Sequence, residues 1–247
     1  MTFASNSTNS MKEVEMECYV CINCGKRQSN LYKKYDKIIK TINCDQCHKT
    51  ADKYIEFEPV ITIVDFMLLS HSSYRHALHN RDFKLFWKLS LILLLLESLT
   101  LWRGENERKL KIANNDSPPY EHGFYNCCAY KIGEFLLCTM LMVIANITLG
   151  SKPTGLSVMD SSYLMMKAYA LANFSKFFLL PIMLWRENTT EFGASLHRFF
   201  VTAHHLCALV SVYIVVSRCR PVISTVVVIS IYVLKEYLMT QYFAIDI

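Results

Sequence analysis

Hydrophobic and polar positions divide this chain into two unequal parts. Up to about residue 84 they mix in short runs, and from there to the C-terminus long apolar stretches dominate. Five stretches of the second part are candidate membrane-crossing helices: Leu85–Trp102, Ile132–Leu149, Tyr163–Trp185 (interrupted by Pro181), Leu196–Ser217 and Pro221–Thr240. At a rise of about 1.5 Å per residue, lengths of 18 to 23 residues reach about 27–35 Å, enough to cross the hydrocarbon core. The first two are borderline in length, so three to five spans are expected. Trp102, Tyr163, Trp185 and Tyr242 stand at span ends, where amphipathic rings prefer the interface.

In the first part, residues 29–42 are long enough for two short strands joined by a polar turn near Lys34–Lys37. Tyr54–Glu58 alternates apolar and acidic side chains, which predicts a half-buried strand ended by Pro59. The ten residues Val60–Leu69 are too few to span as a helix, and Asp65 lies among them. They predict an interfacial or re-entrant segment. Tyr74–Asn80 is aromatic and cationic, so Tyr74, Arg75 and His76 read either as contacts to lipid headgroups or a partner, or as packing between the two parts. Met1–Glu17 is rich in Ser, Thr and Asn and then Glu, without the apolar core of a signal peptide. It predicts a disordered tail on a head that stays cytosolic.

Composition agrees with a membrane class: 52% hydrophobic, 19% charged and a mean hydropathy of +0.20. The net charge of +5 suits an anionic leaflet better than nucleic acid, for which no dense basic stripe with interleaved aromatics is present.

Four cysteines supply the sharpest chemistry. Cys21-Ile-Asn-Cys24 is followed, after nineteen intervening residues, by Cys44-Asp-Gln-Cys47. Two C-x-x-C knuckles at this spacing can place four thiolates on one tetrahedral Zn2+. Four thiolates leave no open coordination position, so the metal reads as structural rather than catalytic. A core of about 40 residues needs such help, and metal binding contributes on the order of 10–16 kcal/mol in zinc-finger peptides. Cys18 forms a further C-x-x-C with Cys21, but Gly25 after Cys24 gives the tight turn a knuckle uses, so Cys21 and Cys24 are preferred. His48 beside Cys47 is an alternative ligand, and redox-active or incidental cysteines are the remaining reading. The fold class expected is a small N-terminal β zinc ribbon followed by an all-α polytopic transmembrane bundle. It divides into a tail over 1–17, a head with its interfacial segment over 18–80, and a helical domain over 81–247.

The knuckles, Ala51-Asp52-Lys53-Tyr54-Ile55-Glu56, the run Val64-Asp65 to Leu69, and Tyr74-Arg75-His76-Ala77-Leu78-His79-Asn80 together resemble the Arv homology domain. The resemblance covers roughly residues 20–80 in the family's order. Ala51 stands where members often have Val, and Cys18 is extra. The resemblance implies an endoplasmic-reticulum membrane protein of lipid homeostasis, acting in sterol transport, sphingolipid balance and glycosylphosphatidylinositol anchor synthesis. Membrane lipids (sterols, glycosylphosphatidylinositol intermediates) and lipid or anchor biosynthesis complexes are the partners it implies. It supplies no catalytic residues.

Charged residues within the apolar part are the last signal, because a charge at mid-bilayer costs several kcal/mol unless paired or wet. Lys88, Lys131 and Lys235 lie near span ends and can snorkel, and Lys131 and Glu134 are one helical turn apart and can pair. Glu97, Lys176, His204 and His205 are harder to explain. They are candidates either for a lipid-headgroup cavity or for hydrogen bonding inside the bundle. Basic residues ahead of the first span favour a cytosolic N-terminus. Sequons at Asn115 and Asn188 make the topology testable. No phosphate loop, nucleophile elbow or H-E-x-x-H motif is present. A lipid-binding protein, a zinc-ribbon scaffold and, less favoured, a transferase subunit are the function classes left.

Overall fold

The computed structural model describes residues 19–35, 38–113, 121–150, 157–181 and 190–242. Cys18 and both sequon asparagines, Asn115 and Asn188, lie outside them.

The head holds two antiparallel ribbons. β1 (Tyr19–Val20) pairs with β2 (Arg27–Gln28), and β3 (Tyr32–Tyr35) with β4 (Ile38–Thr41). The second ribbon falls where the sequence predicts it, and Asp36 and Lys37 of the expected turn lie outside the described residues. Leu31, Cys21, Cys44 and Tyr54 form the head's small interior.

The strand expected over Tyr54–Glu58 is not formed. Lys53–Ile55 is a 3₁₀ turn instead, capped by Asp52, whose side chain accepts the Tyr54 amide. The cap costs the backbone its extended path, and Tyr54 turns inward. Pro59 then opens a helix rather than closing a strand: α1 (Pro59–Met67) carries proline at its first position, where no amide is needed. Leu69 reverses the chain in a left-handed conformation (φ 57°) into α2 (His71–Arg75), which continues as a π-helical turn, His76–Asn80.

The membrane body is built from α3 (Lys84–Ala113), α4 (Glu121–Leu149), α5 (Val158–Ala172), a 3₁₀ segment (Asn173–Phe178), α6 (Glu191–Ser217) and α7 (Pro221–Tyr242). Among the described residues, four helices are long and apolar enough to cross a membrane: Lys84–Glu107, Gly123–Leu149, Phe192–Ser217 and Pro221–Gln241. The third expected span is not a continuous helix. It breaks at Asn173, ahead of Pro181, leaving α5 with 15 residues, about 22 Å. The cause is local. Ser175 Oγ donates to the Ala172 carbonyl at 2.7 Å, and His205 Nδ1 lies 2.9 Å from the same hydroxyl. These bonds compete with the α-helical ladder.

Contacts fix the direction of each passage. Trp102 meets Phe124 and Glu97 meets Lys131, so α3 and α4 run antiparallel. Cys219 Sγ, just after α6, donates to Leu149 O at the end of α4, so α4 and α6 finish at the same end. Lys235 late in α7 meets Glu134 early in α4. The chain between Leu149 and Glu191 must therefore return across the bundle, and α5 with its 3₁₀ continuation begins that return. With four continuous helices and one broken passage, α7 ends opposite the head. The interior between them is packed with Met165, Ala168, Leu171, Leu209, Val212 and Tyr213.

Candidate metal centre and intramembrane charge cluster

The two knuckles fold alike. The Cys21 amide donates to Lys26 O and the Gly25 amide to Cys21 O, while the Cys44 amide donates to Lys49 O and the His48 amide to Cys44 O. Gly25 (φ 80°) and His48 (φ 57°) occupy equivalent left-handed positions. His48 is thus the turn residue of the second knuckle, and the group that could hold a metal ion is Cys21, Cys24, Cys44 and Cys47, whose sulfurs all lie within 4.8 Å of one another. Cys21 and Cys47 sulfurs are 3.8 Å apart and those of Cys24 and Cys44 are 3.6 Å apart. Metal–sulfur bonds of about 2.3 Å in a tetrahedron set sulfurs about 3.8 Å apart, so the site fits a tetrahedral metal ion. The backbone amides of Cys47 and Gln46 point at the Cys44 sulfur and hold its thiol down to about 6. Desolvation pushes the neighbouring Cys24 thiol up to about 11, so the amides favour thiolate at Cys44 and a bound metal would have to hold Cys24 as thiolate.

A second buried constellation ties the cysteine knuckles to the helical segment of residues 59–80, which packs on the body through Phe66 against Phe86 and Phe174. Asp52 is fully buried, and besides the Tyr54 amide it accepts from Asn80 Nδ2 at 2.7 Å and from His76 Nδ1 at 2.6 Å. Asn80 also pairs with Val20 as a strand neighbour would: it accepts the Val20 amide and donates to the Val20 carbonyl, both at 2.8 Å. Arg75 donates to the carbonyls of Ile22 and Asn23 in the first knuckle. Tyr54 Oη donates to Asp65 in α1. Tyr74 stacks on Phe66 with centroids 5.3 Å apart and donates to the Phe66 carbonyl. Burial pushes its hydroxyl well above the usual tyrosine range.

The headgroup or partner contact expected of Tyr74, Arg75 and His76 is thereby corrected. Tyr74 and His76 are 1% and 2% exposed and Arg75 is engaged by the knuckle. The helical path from α2 into the π turn aims His76 and Asn80 together at Asp52. Asp52 and Asn80 lie inside the motifs that carry the family resemblance. A lone acid behind a small residue gave no sign of being the hub.

The charged residues of the bundle gather into one cluster. Glu97 of α3 accepts from Lys131 of α4 at 2.9 Å and from Lys176 of the 3₁₀ segment at 2.7 Å. Glu134 accepts from Lys131 at 2.7 Å and from Lys235 of α7 at 2.6 Å, and Lys235 also meets Glu236. Three lysines and three glutamates thus link four elements with no net charge. The Lys131–Glu134 pair forms as the sequence anticipates. Snorkelling of Lys131 and Lys235 does not occur, because their ammonium groups turn inward to carboxylates, and the Lys235 side chain is only 4% exposed. The histidines point apart. His205 is buried against Ser175 and Ala172, and His204 Nε2 meets the Met67 carbonyl at 2.8 Å beside the rings of Phe178 and Phe200. Glu97 and Lys176 are brought together, while His204 and His205 serve other contacts.

These features define a class: a multi-pass membrane protein whose four-cysteine head is latched to a helical bundle with a charged interior. Comparison with known proteins places it further. The pattern of the Arv1-like family matches residues 20–209, through both head and bundle, and the chain belongs to that family. Protein ARV1 of Homo sapiens is 30% identical over 202 residues, covering 77% of this chain and 71% of that one. The mouse protein of the same name is 28% identical over 194 residues, with 77% and 72% covered. The arv1 homolog of Dictyostelium discoideum is 27% identical over 206 residues, with 75% and 81% covered. No solved structure matches the chain.

Proposed function

We propose that this protein is a non-enzymatic lipid-handling protein of the endoplasmic-reticulum membrane. It acts in sterol transport and sphingolipid balance and supports glycosylphosphatidylinositol anchor synthesis, as the family resemblance implies. Its head faces the cytosol and holds one structural Zn2+ on Cys21, Cys24, Cys44 and Cys47. The metal supplies a fixed tetrahedral crosslink and no reaction centre. The observation that carries the lipid reading is the cluster around Glu97 and Lys176 within an otherwise apolar bundle. A lipid whose polar group enters that bundle needs charged or hydrogen-bonding partners there, and costly intramembrane charges mark such places. Lys176 sits on the broken passage, and discontinuous helices at membrane depth commonly form binding sites.

The test is photo-crosslinking of the purified, zinc-loaded protein with sterol and glycosylphosphatidylinositol-intermediate probes, with unlabelled lipid as competitor. Competable labelling on α3, the 3₁₀ segment or α6 supports direct handling. Labelling that competitor does not reduce rejects it, and leaves the head as a scaffold for biosynthetic enzymes.

A further inference from the structure

We infer that the ribbon β3–β4 is a docking surface for anionic lipid headgroups at the membrane surface beside the head. Between Tyr19 and Asn43 the sequence has six Lys or Arg and one acid, Asp36, a net +5 that equals the charge of the whole chain. The ribbon's register gathers part of this charge on one face. Lys33 stands directly opposite Lys40, and Tyr35, two residues along β3, shares that face. Like charges directly opposite each other destabilise a strand pair. Among the described residues no acidic side chain bonds either lysine.

The ribbon is also bare. All of β3 is exposed, with Tyr32 at 44% and Tyr35 at 57%. Aromatic rings beside lysines suit the layer where headgroups meet acyl chains, and juxtamembrane lysines are drawn to an anionic leaflet.

The head is held where that layer must be. Tyr54 bonds to Asp65 of α1. The outward side of α1 is apolar, with Val60 62% and Leu68 72% exposed, together with Ile61 and Val64. Such a face belongs in lipid, so the boundary of the bilayer passes beside the head. Only three residues, four steps of at most about 14 Å of chain in all, separate Asn80 in the latch from the start of α3 at Lys84. A ribbon about 13 Å long on so short a tether reaches the headgroups. This inference is independent of any lipid site inside the bundle.

The test uses the full chain in nanodiscs of phosphatidylcholine alone or of phosphatidylcholine with phosphatidylserine. Amide hydrogen exchange is followed over residues 31–42. Exchange is expected to slow by roughly fivefold or more in the anionic discs, the hold that one lysine near such a surface supplies. High salt and the double variant Lys33→Glu, Lys40→Glu are expected to abolish the effect with metal content unchanged. Equal exchange in both discs overturns the inference. So does slowing in neutral discs on adding free inorganic phosphate, RNA or polyglutamate to the same extent, since the lipid surface would then not be what the ribbon recognises.

Discussion

The Asp52 carboxylate and the His76 imidazole meet at 2.6 Å with both side chains closed off from solvent. They belong to different parts of the chain, one after the second knuckle and the other in the turn that leads into α3. Their contact fixes the cysteine knuckles on the α2 segment, and that segment is tied to the bundle by Phe66 against Phe86 and Phe174 and by His204 on the Met67 carbonyl. The head is therefore not a module hung on a flexible tether.

Asp52→Ala is expected to destabilise the whole protein by about 3 kcal/mol or more. It strands the Tyr54 amide, the Asn80 amide and the His76 N–H in a dry interior, at roughly 1–3 kcal/mol each. Asp52→Asn keeps part of the acceptor set and should lose less. Thermal melting in detergent measures both. A normal melting temperature for Asp52→Ala would show that the latch carries no stability.

Cys21→Ser and Cys44→Ser are expected to reduce bound zinc and steady-state protein level together, because metal binding is part of the folding free energy. His48→Ala should keep one zinc per chain, since His48 serves the turn and not the metal. Metal analysis of the purified variants decides. Full zinc in the serine variants would refute the ligand set.

Gly25→Ala is expected to cost on the order of 1–2 kcal/mol although open space surrounds the position. The loss comes from φ 80°, a conformation that a side chain disfavours. Chelator-challenge melts should show earlier metal loss with unchanged initial stoichiometry.

Glu97→Ala should destabilise by about 3–5 kcal/mol, because it leaves the Lys131 and Lys176 ammonium groups without their shared carboxylate. Adding Lys176→Met to Glu97→Ala should recover part of the loss. A double-mutant cycle on unfolding in detergent reads the coupling, and strict additivity would mean that the two charges do not interact.

Stability should fall as the pH drops from about 6.5 towards 4. Burial, assisted by the nearby cations Arg218 and Lys167, pulls the His79 imidazole down to about 4. The unfolded chain then binds a proton in this window that the folded chain does not, so acid favours unfolding, by about 3 kcal/mol in all. His79→Leu should flatten this part of the profile in melts between pH 7 and 5. An unchanged slope would locate the acid sensitivity elsewhere.

Local patterns settled much of this protein in advance. The knuckle spacing names the four cysteines because C-x-x-C closes a single turn, whatever surrounds it. Apolar runs of span length mark α3, α4, α6 and α7 because a bilayer filters on length and composition alone. The strand pair over residues 32–35 and 38–41 follows from a short local run long enough for two strands. Where the sequence misleads, a distant partner outweighs the local pattern. Alternation at Tyr54–Glu58 predicts a strand, but Asp52 caps a 3₁₀ turn and Asp65 takes the Tyr54 hydroxyl. The third apolar run predicts one helix, but Ser175 and His205 break it at Asn173. Tyr74–His76 leaves surface contact and internal packing equally open, and only Phe66, Asp52 and the first knuckle decide for packing. The charge cluster of Glu97, Lys131, Glu134, Lys176, Lys235 and Glu236 is assembled across four elements. In a low-dielectric interior each charge must find an opposite one, and only the packing of the helices decides which.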